Sequence, residues 1–249
     1  MRNWGSSVDG MPEDGFIEGV MASAGMAQGV SRRSVVAGIL ATGALLALPG
    51  CATMGKPSTT DVIQRLLTLS SQRAFARLTQ PDGFWDSAVA RIDMPVLFGR
   101  SGSAVAKILK SPLFREKLQH ELNNVAEDGA RVAAPLVNDA VRRLTVSDAL
   151  ALLRGGSTAA TTYLRQSMGP SLVNAMIPEL GRVMSVADDP ILSQALAALT
   201  GVNITDAAHA LALGADNAIW YEIGAQEGEI RANPAATNDP VLIAALRLL

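Results

Sequence analysis

Residues 171–186 read Ser-Leu-Val-Asn-Ala-Met-Ile-Pro-Glu-Leu-Gly-Arg-Val-Met-Ser-Val. Leu172, Val173, Met176, Ile177, Leu180, Val183 and Met184 recur at intervals of three and four, which gathers them on one face of a helix. The same period runs outward in both directions. Helix starts are marked by a capping residue followed by proline at Ser111-Pro112, Asp189-Pro190 and Asp239-Pro240. Thr145 with Asp148 reads as a capping-box-like start for residues 146–154. Gly155 stops that helix, and Ser157 or Thr158 starts the next. The spacing predicts helices over 61–79, 103–110, 112–133, 135–143, 146–154, 158–168, 170–186, 190–199, 205–231 and 240–248. Residues 80–102 read as irregular, with a turn at Pro81-Asp82-Gly83. No stretch alternates over five or more residues, so the expected fold is all-α, a bundle of about eight to ten helices. Alanine is abundant and aromatics are only 4% of the chain, so the helices should approach closely through small side chains.

Composition narrows the function. The chain has 249 residues and a net charge of −2, with no excess of positive charge to hold nucleic acid. One cysteine excludes an internal disulfide framework and a multi-cysteine zinc site. Two histidines leave little for a histidine metal cage, and neither a metal nor another cofactor is expected.

Residues 1–30 are rich in Gly, Met and Ala without a sustained period, and read as disordered or as a start placed too far upstream, Met21 and Met26 being alternative starts. Residues 31–50 read as a twin-arginine-like lipoprotein signal peptide. Ser31-Arg32-Arg33-Ser34 places adjacent arginines ahead of an uncharged run that lasts until Lys56. The apolar part, Val35 to Leu48, is shorter than the roughly 20 residues of a spanning helix and fits a signal-peptide core of about 7–15. Val35-Val36 stands where the twin-arginine pattern prefers Phe-Leu. Leu48-Pro49-Gly50-Cys51 then resembles a lipobox, with Pro49 where Ala or Ser is commoner. The Cys51 thiol would receive a diacylglycerol, and two or three acyl chains hold a protein stably on a membrane. Ala52 after the cysteine favours the outer membrane. Residues 51–60 read as a lipidated tether and 61–249 as one helical domain.

Several further stretches carry a family resemblance: Ser71-Gln72-Arg73-Ala74, Leu78-Thr79-Gln80-Pro81-Asp82-Gly83-Phe84, Arg91-Ile92-Asp93-Met94-Pro95, Ala133-Ala134-Pro135-Leu136, Leu144-Thr145-Val146-Ser147-Asp148-Ala149, Leu153-Arg154-Gly155-Gly156, and Ile230-Arg231-Ala232-Asn233-Pro234 preceded by Trp220-Tyr221. In these the chain resembles the bacterial domain-of-unknown-function family 4197 over about residues 61–249. The resemblance implies an exported, mostly helical domain and carries no activity with it. Asp93 stands where the family usually has proline. Ala225-Gln226-Glu227-Gly228 stands where relatives often have a run of three acids before a lysine, so only Glu227 survives of that cluster.

Candidate binding residues fall into two groups. Arg154, Gly155 and Gly156, with Ser157-Thr158, could set backbone N–H groups around an anion, or could be a helix stop, turn and cap. Tyr221, Glu227, Arg231 and Asn233 are the other group. Tyr221, Gly224, Gly228 and Arg231 share a stripe, while Glu227 and Arg231 are spaced to pair at i,i+4 ahead of a helix end at Asn233-Pro234. His120-Glu121 has Asn124 where a zinc-protease helix needs its second histidine, and His209 reads as a packed or capping histidine. Phe84-Trp85 reads as a hydrophobic clamp or an exposed anchor. No catalytic residues and no Gly-x-Ser-x-Gly elbow emerge. The expectation is therefore a non-enzymatic lipoprotein facing the periplasm. It would be held to the envelope membrane by its lipid anchor and would bind a partner, such as an envelope protein, or a small ligand. A carrier of a small hydrophobic ligand or lipid is the alternative, and an enzyme of unrecognised type the third.

Overall fold

The computed structural model describes residues 57–94, 110–186, 189–198 and 203–248. Arg32, Arg33, Cys51 and nearly all of the helix expected over 103–110 lie outside the described residues. Those residues form eight α-helices and one short 3-10 turn, with no strand among them: α1 Thr59–Leu78, α2 Pro112–Arg143, α3 Ala149–Arg154, α4 Ala159–Met168, α5 Ser171–Val186, α6 Pro190–Ala198, α7 Ile204–Ala232, the turn Pro234–Thr237 and α8 Pro240–Arg247. All lie in the unit Cys51–Leu249.

Most helix ends follow from their caps. Ser58 Oγ accepts from the Asp61 N–H at 3.1 Å, and Asp61 accepts from the Ser58 N–H at 2.8 Å. This reciprocal box starts α1 at Thr59, inside the stretch expected as tether. Ser111 and Asp239 cap α2 and α8, each with proline at the first turn, as their Ser-Pro and Asp-Pro spellings predict. Asn203 caps α7 through the Asp206 N–H. Two expectations are corrected. The helix expected from residue 146 begins at Ala149, because Asp148 itself accepts from the Ala151 N–H at 2.9 Å. The carbonyl of Thr145 accepts the Tyr163 hydroxyl instead. The helices expected over 112–133 and 135–143 are one helix, α2, which runs through Pro135. Proline removes one helical hydrogen bond, a loss of about 3 kcal/mol in a helix interior. Burial of Ala130 and Ala133 before it and of Val137 and Val141 after it holds both halves on the same core.

α7 is the centre of the bundle and packs on α1, α2 and α5. Apolar residues on several of its sides are buried, including Ala208, Leu211, Ala215, Ile219, Ile223 and Ile230. Small residues set the spacing: a Cβ on Gly181 of α5 would touch the Ala208 Cβ at 3.7 Å, and one on Gly129 of α2 would press Leu180 at 3.1 Å. α3 and α4 lie against α1, and α4 also packs on α7; α8 packs on α1, and the 3-10 turn packs on α7 and α8.

Candidate functional site

The two groups of candidate residues meet in space. Gly224 and Gly228 of α7 let the turn between α3 and α4 come close: added Cβ atoms would stand 3.1 Å from Thr158 Cγ2 and 3.7 Å from Ser157 Cβ. Between these glycines the Glu227 carboxylate reaches the start of α4. Its Oε1 accepts from the Ala160 N–H at 3.1 Å, and its Oε2 accepts from the Thr161 N–H at 2.7 Å and hydroxyl at 2.6 Å. Thr158, at the cap position, makes no side-chain cap bond. The cap of α4 is thus a glutamate from 66 residues further along the chain. Arg231, one turn on, donates through Nε to Glu227 at 2.8 Å and through its two terminal nitrogens to the carbonyls of Leu153 at 2.7 Å and Leu152 at 3.0 Å. Those carbonyls lie at the C-terminal end of α3, where that of Leu152 also accepts from the Gly155 N–H at 3.3 Å. The negative charge therefore sits at a helix start and the positive charge at a helix end, as the peptide dipoles favour. The Glu227 side chain is 0% exposed and that of Arg231 12%. Gly155 lies at the same junction, where a Cβ would stand 2.6 Å from that of Ala159, whereas a Cβ on Gly156 would meet nothing within 4 Å. Arg154 is exposed, and its side chain bonds to no described residue. Asn233 is exposed, and its N–H closes the end of α7 on the Glu229 carbonyl.

A second buried set holds the irregular connector 79–94. Glu222 of α7, fully buried, accepts from Arg77 at 2.9 Å, Ser87 at 2.9 Å and Gln226 at 3.2 Å. Glu127 of α2 accepts from the Gly83 N–H at 3.1 Å. His120 Nε2 meets Asp82 at 2.8 Å, and Trp85 stands edge-on to the His120 ring with centroids 4.9 Å apart. The Phe84-Trp85 pair splits: Phe84 is in the core, and Trp85 lies half-buried beneath the Arg91 guanidinium. His209, expected to be packed or capping, is exposed on α7. Among the described residues no group of three or more His, Cys, Asp or Glu could hold a metal ion.

Burial raises the Glu127 carboxyl above its ordinary value of 4.5; the Gly83 N–H and Arg131 pull it back, and Asp82 adds to the rise. A carboxyl raised by folding favours the folded state below its unfolded pKa, and that contribution is lost as pH rises through the folded pKa. Glu127→Gln keeps an oxygen for Gly83. It is expected to be at least as stable as wild type at pH 7 and to flatten the fall in stability above about pH 4.5. Urea unfolding from about pH 4 to pH 8 measures this; a large loss at pH 7 would show that the charge itself is needed.

Tyr221 stands apart from the clamp. It is 61% exposed and forms a ridge between two open grooves. The smaller, about 280 Å³, is lined by Thr158, Thr162, Arg165 and Gln166. The larger, about 490 Å³, runs between residues 89–94 and α7, with Ile92, Met94, Ala210, Leu213 and Ala218 along it. Leu213 is 49% and Val89 47% exposed at its edge. Sequence reasoning passed over Val89 and Leu213, and noted Asp93 only as a departure from the family pattern. Leucine on the outer face of an otherwise buried helix is the signal that could have singled out Leu213. The largest groove described, about 720 Å³, lies elsewhere, between α1, the end of α2 and the start of α8.

A central helix, buried ion pairs spent on internal caps, and open surface grooves define a helical-bundle protein whose inner charges hold the fold together. The chain belongs to the DUF4197 family of proteins of unknown function, whose sequence model matches residues 53–246. No curated protein and no solved structure matched it.

Proposed function

We propose that this chain is an exported envelope lipoprotein, anchored by acylated Cys51, whose helical domain binds a partner protein and catalyses no reaction. The observation that carries the binding part is the groove beside Tyr221. An aromatic with a polar tip, an exposed leucine and an exposed valine border one open apolar channel. Tyrosine is enriched among residues that dominate interface energies. A carrier would need an enclosed apolar cavity, and the grooves described are open to solvent. The anchoring part rests on Arg32-Arg33, the apolar run and Leu48-Pro49-Gly50-Cys51. It is supported by the start of the family match at residue 53 and of α1 at Thr59, which leave the lipobox ahead of the folded domain. The short link from Cys51 to Ser58 reaches at most about 25 Å and keeps the domain near the bilayer.

Cys51→Ser is expected to abolish incorporation of labelled fatty acid and to move the protein from the membrane to the soluble fraction. Unchanged labelling would sink the anchor. A photo-crosslinking amino acid at Tyr221 in intact cells is expected to yield a discrete protein adduct that is lost with Leu213→Asp. An exposed face that yields no adduct at any expression level would defeat the binding reading.

A further inference from the structure

The smaller groove beside Tyr221 is polar where the larger one is apolar. It is a cleft between α4 and α7. Thr158, Thr162, Arg165 and Gln166 recur at three- and four-residue spacing along α4, and Trp220, Tyr221 and Gly224 face them from α7. The floor of the cleft is already committed. Thr161 and Trp220 are buried; the Thr161 hydroxyl donates to Glu227 at 2.6 Å and the Trp220 indole N–H to Asp216 Oδ1 at 2.9 Å. The walls are not. The hydroxyls of Thr158, Thr162 and Tyr221 and the amide of Gln166 make no hydrogen bond to a described residue. Other polar side chains of α4 do find partners, Tyr163 on the Thr145 carbonyl and Ser167 on that of Leu164. The polar groups that α4 leaves open are those bordering the cleft.

Arg165 supplies the charge. Its Nη2 donates both to Asp216, at 2.9 Å, and to Asn217, which holds the guanidinium in place. Its Nε and Nη1 have no partner among the described residues, so three N–H donors remain. Every open group in the cleft can therefore donate, one of them is a cation, and no acidic side chain among the described residues lines it. Asp216 is buried behind Arg165, and each of its oxygens already accepts a bond. The complement of such a cleft is a group rich in acceptors that carries one negative charge. An ammonium or a sugar hydroxyl would need an anionic acceptor, which the cleft lacks. A doubly charged phosphate would meet the Asp216 charge just behind the guanidinium. A carboxylate fits.

We propose that the cleft between α4 and α7 binds a carboxylate carried by the protein partner, whose adjoining apolar side chains cross Tyr221 into the larger groove. This rests on the reading of the Tyr221 grooves as a partner-binding surface and names the chemistry of the segment bound there: an acid, at a chain end or on a side chain, next to apolar residues. Tyr221 is the shared wall of both grooves, so the apolar stem of the ligand lies on its ring while the charge meets Arg165 and the two threonines. A volume of about 280 Å³ has room for one residue and its carboxylate, not for a folded element.

The full chain, isotopically labelled for nuclear magnetic resonance and held in neutral detergent, is titrated with N-acetyl-leucine, with its neutral amide N-acetyl-leucinamide, and with the α-amide of N-acetylglutamic acid. The Arg165 Nε–H and Gly224 amide resonances are followed. Both acids are expected to shift them saturably, and the neutral amide to bind about tenfold more weakly, the loss of one charge-assisted hydrogen bond. The tighter of the two acids tells a chain end from an acidic side chain, and either order supports the site. Arg165→Lys keeps a cation beside Asp216, but one ammonium cannot also hold Asn217 and the ligand; read at Gly224, its affinity for the acids is expected to fall about tenfold. Thr162→Val, exposed and with no side-chain bond to lose, is expected to weaken binding several-fold and serves if Arg165→Lys disturbs Asp216. Shifts that do not saturate, acids that bind no better than the neutral amide, or folded variants that bind as wild type overturn the proposal. A Tyr221 crosslink that is lost with Leu213→Asp but unchanged in Arg165→Lys and Thr162→Val overturns the carboxylate cleft alone and leaves the partner-binding reading standing. Saturable binding of the acids with no Tyr221 adduct overturns the partner and leaves the cleft.

Discussion

Glu227→Ala is expected to lower the unfolding free energy by about 3–5 kcal/mol, the loss seen when one member of a buried ion pair is removed. The substitution strips the cap from α4, leaving the Ala160 and Thr161 N–H groups without their acceptor. It also leaves the Arg231 guanidinium, 12% exposed, bonded only to the Leu152 and Leu153 carbonyls. Arg231→Ala should be comparably harmful, since it strands a fully buried carboxylate and frees the end of α3. Glu227→Gln should lose less, because its amide oxygen can still accept from one N–H of α4. The double variant Glu227→Gln, Arg231→Ala should lose less than the sum of its singles, because no buried charge is then left without a partner. For a domain of this size each kcal/mol moves the melting temperature by about 2–4 °C, so Glu227→Ala should melt on the order of 10 °C lower. Urea unfolding followed by circular dichroism reads all four. A loss under about 1 kcal/mol for Glu227→Ala would mean that the pair behaves as an exposed one.

Local spacing carries the helices, and the long-range contacts decide what their polar residues do. The seven apolar positions from Leu172 to Met184 suffice for α5, and Asn233-Pro234 suffices to end α7, because both signals act within one or two turns. Pro135 misleads for the same reason. The local rule breaks the helix, but the packing of Val137 and Val141 on the shared core is not a local quantity. The pairing of Glu227 with Arg231 is legible at i,i+4. Their actual partners, Thr161 and Leu153, lie 66 and 78 residues away, and no spacing rule reaches them. The turn Gly155-Gly156-Ser157-Thr158 leads into the start of α4, but the N–H groups that meet the chain's own Glu227 are those of Ala160 and Thr161, beyond the turn whose spelling suggested an anion. Tyr221 is legible as an exposed aromatic. The groove beside it is not, because Val89, Asp93 and Leu213 belong to segments about 120 residues apart.

Gly83→Ala is expected to produce the other large loss, near the upper end of the overpacking range at about 3 kcal/mol. A Cβ at residue 83 would stand 2.3 Å from the Arg77 carbonyl oxygen, 2.9 Å from that of Gln80 and 3.0 Å from the Leu78 carbonyl carbon. All three are backbone atoms at the end of α1, and the fully buried side chains of Leu78 and Phe84 on either side prevent the chain from yielding. The clash therefore falls on the contact of the connector with α2, where the Gly83 N–H meets Glu127. Hydrogen exchange should separate this from general destabilisation. Amides at Gly83, Ala90 and Ile92, each bonded to a side chain of Glu127, Ser87 or Asn123, should lose protection before those in the middle of α7. Phe84→Ala, an ordinary core cavity, should lose about 3–5 kcal/mol and lower protection more evenly. The consequence for function follows from geometry. The connector carries Val89 and residues 91–94 of the Tyr221 groove, so once it comes away from α2 that groove loses one wall. Gly83→Ala should then abolish the Tyr221 crosslink at temperatures where α7 is still protected, although Tyr221 and Leu213 are intact. If the crosslink survives at those temperatures while the Gly83 and Ile92 amides exchange freely, the connector is not part of the binding surface.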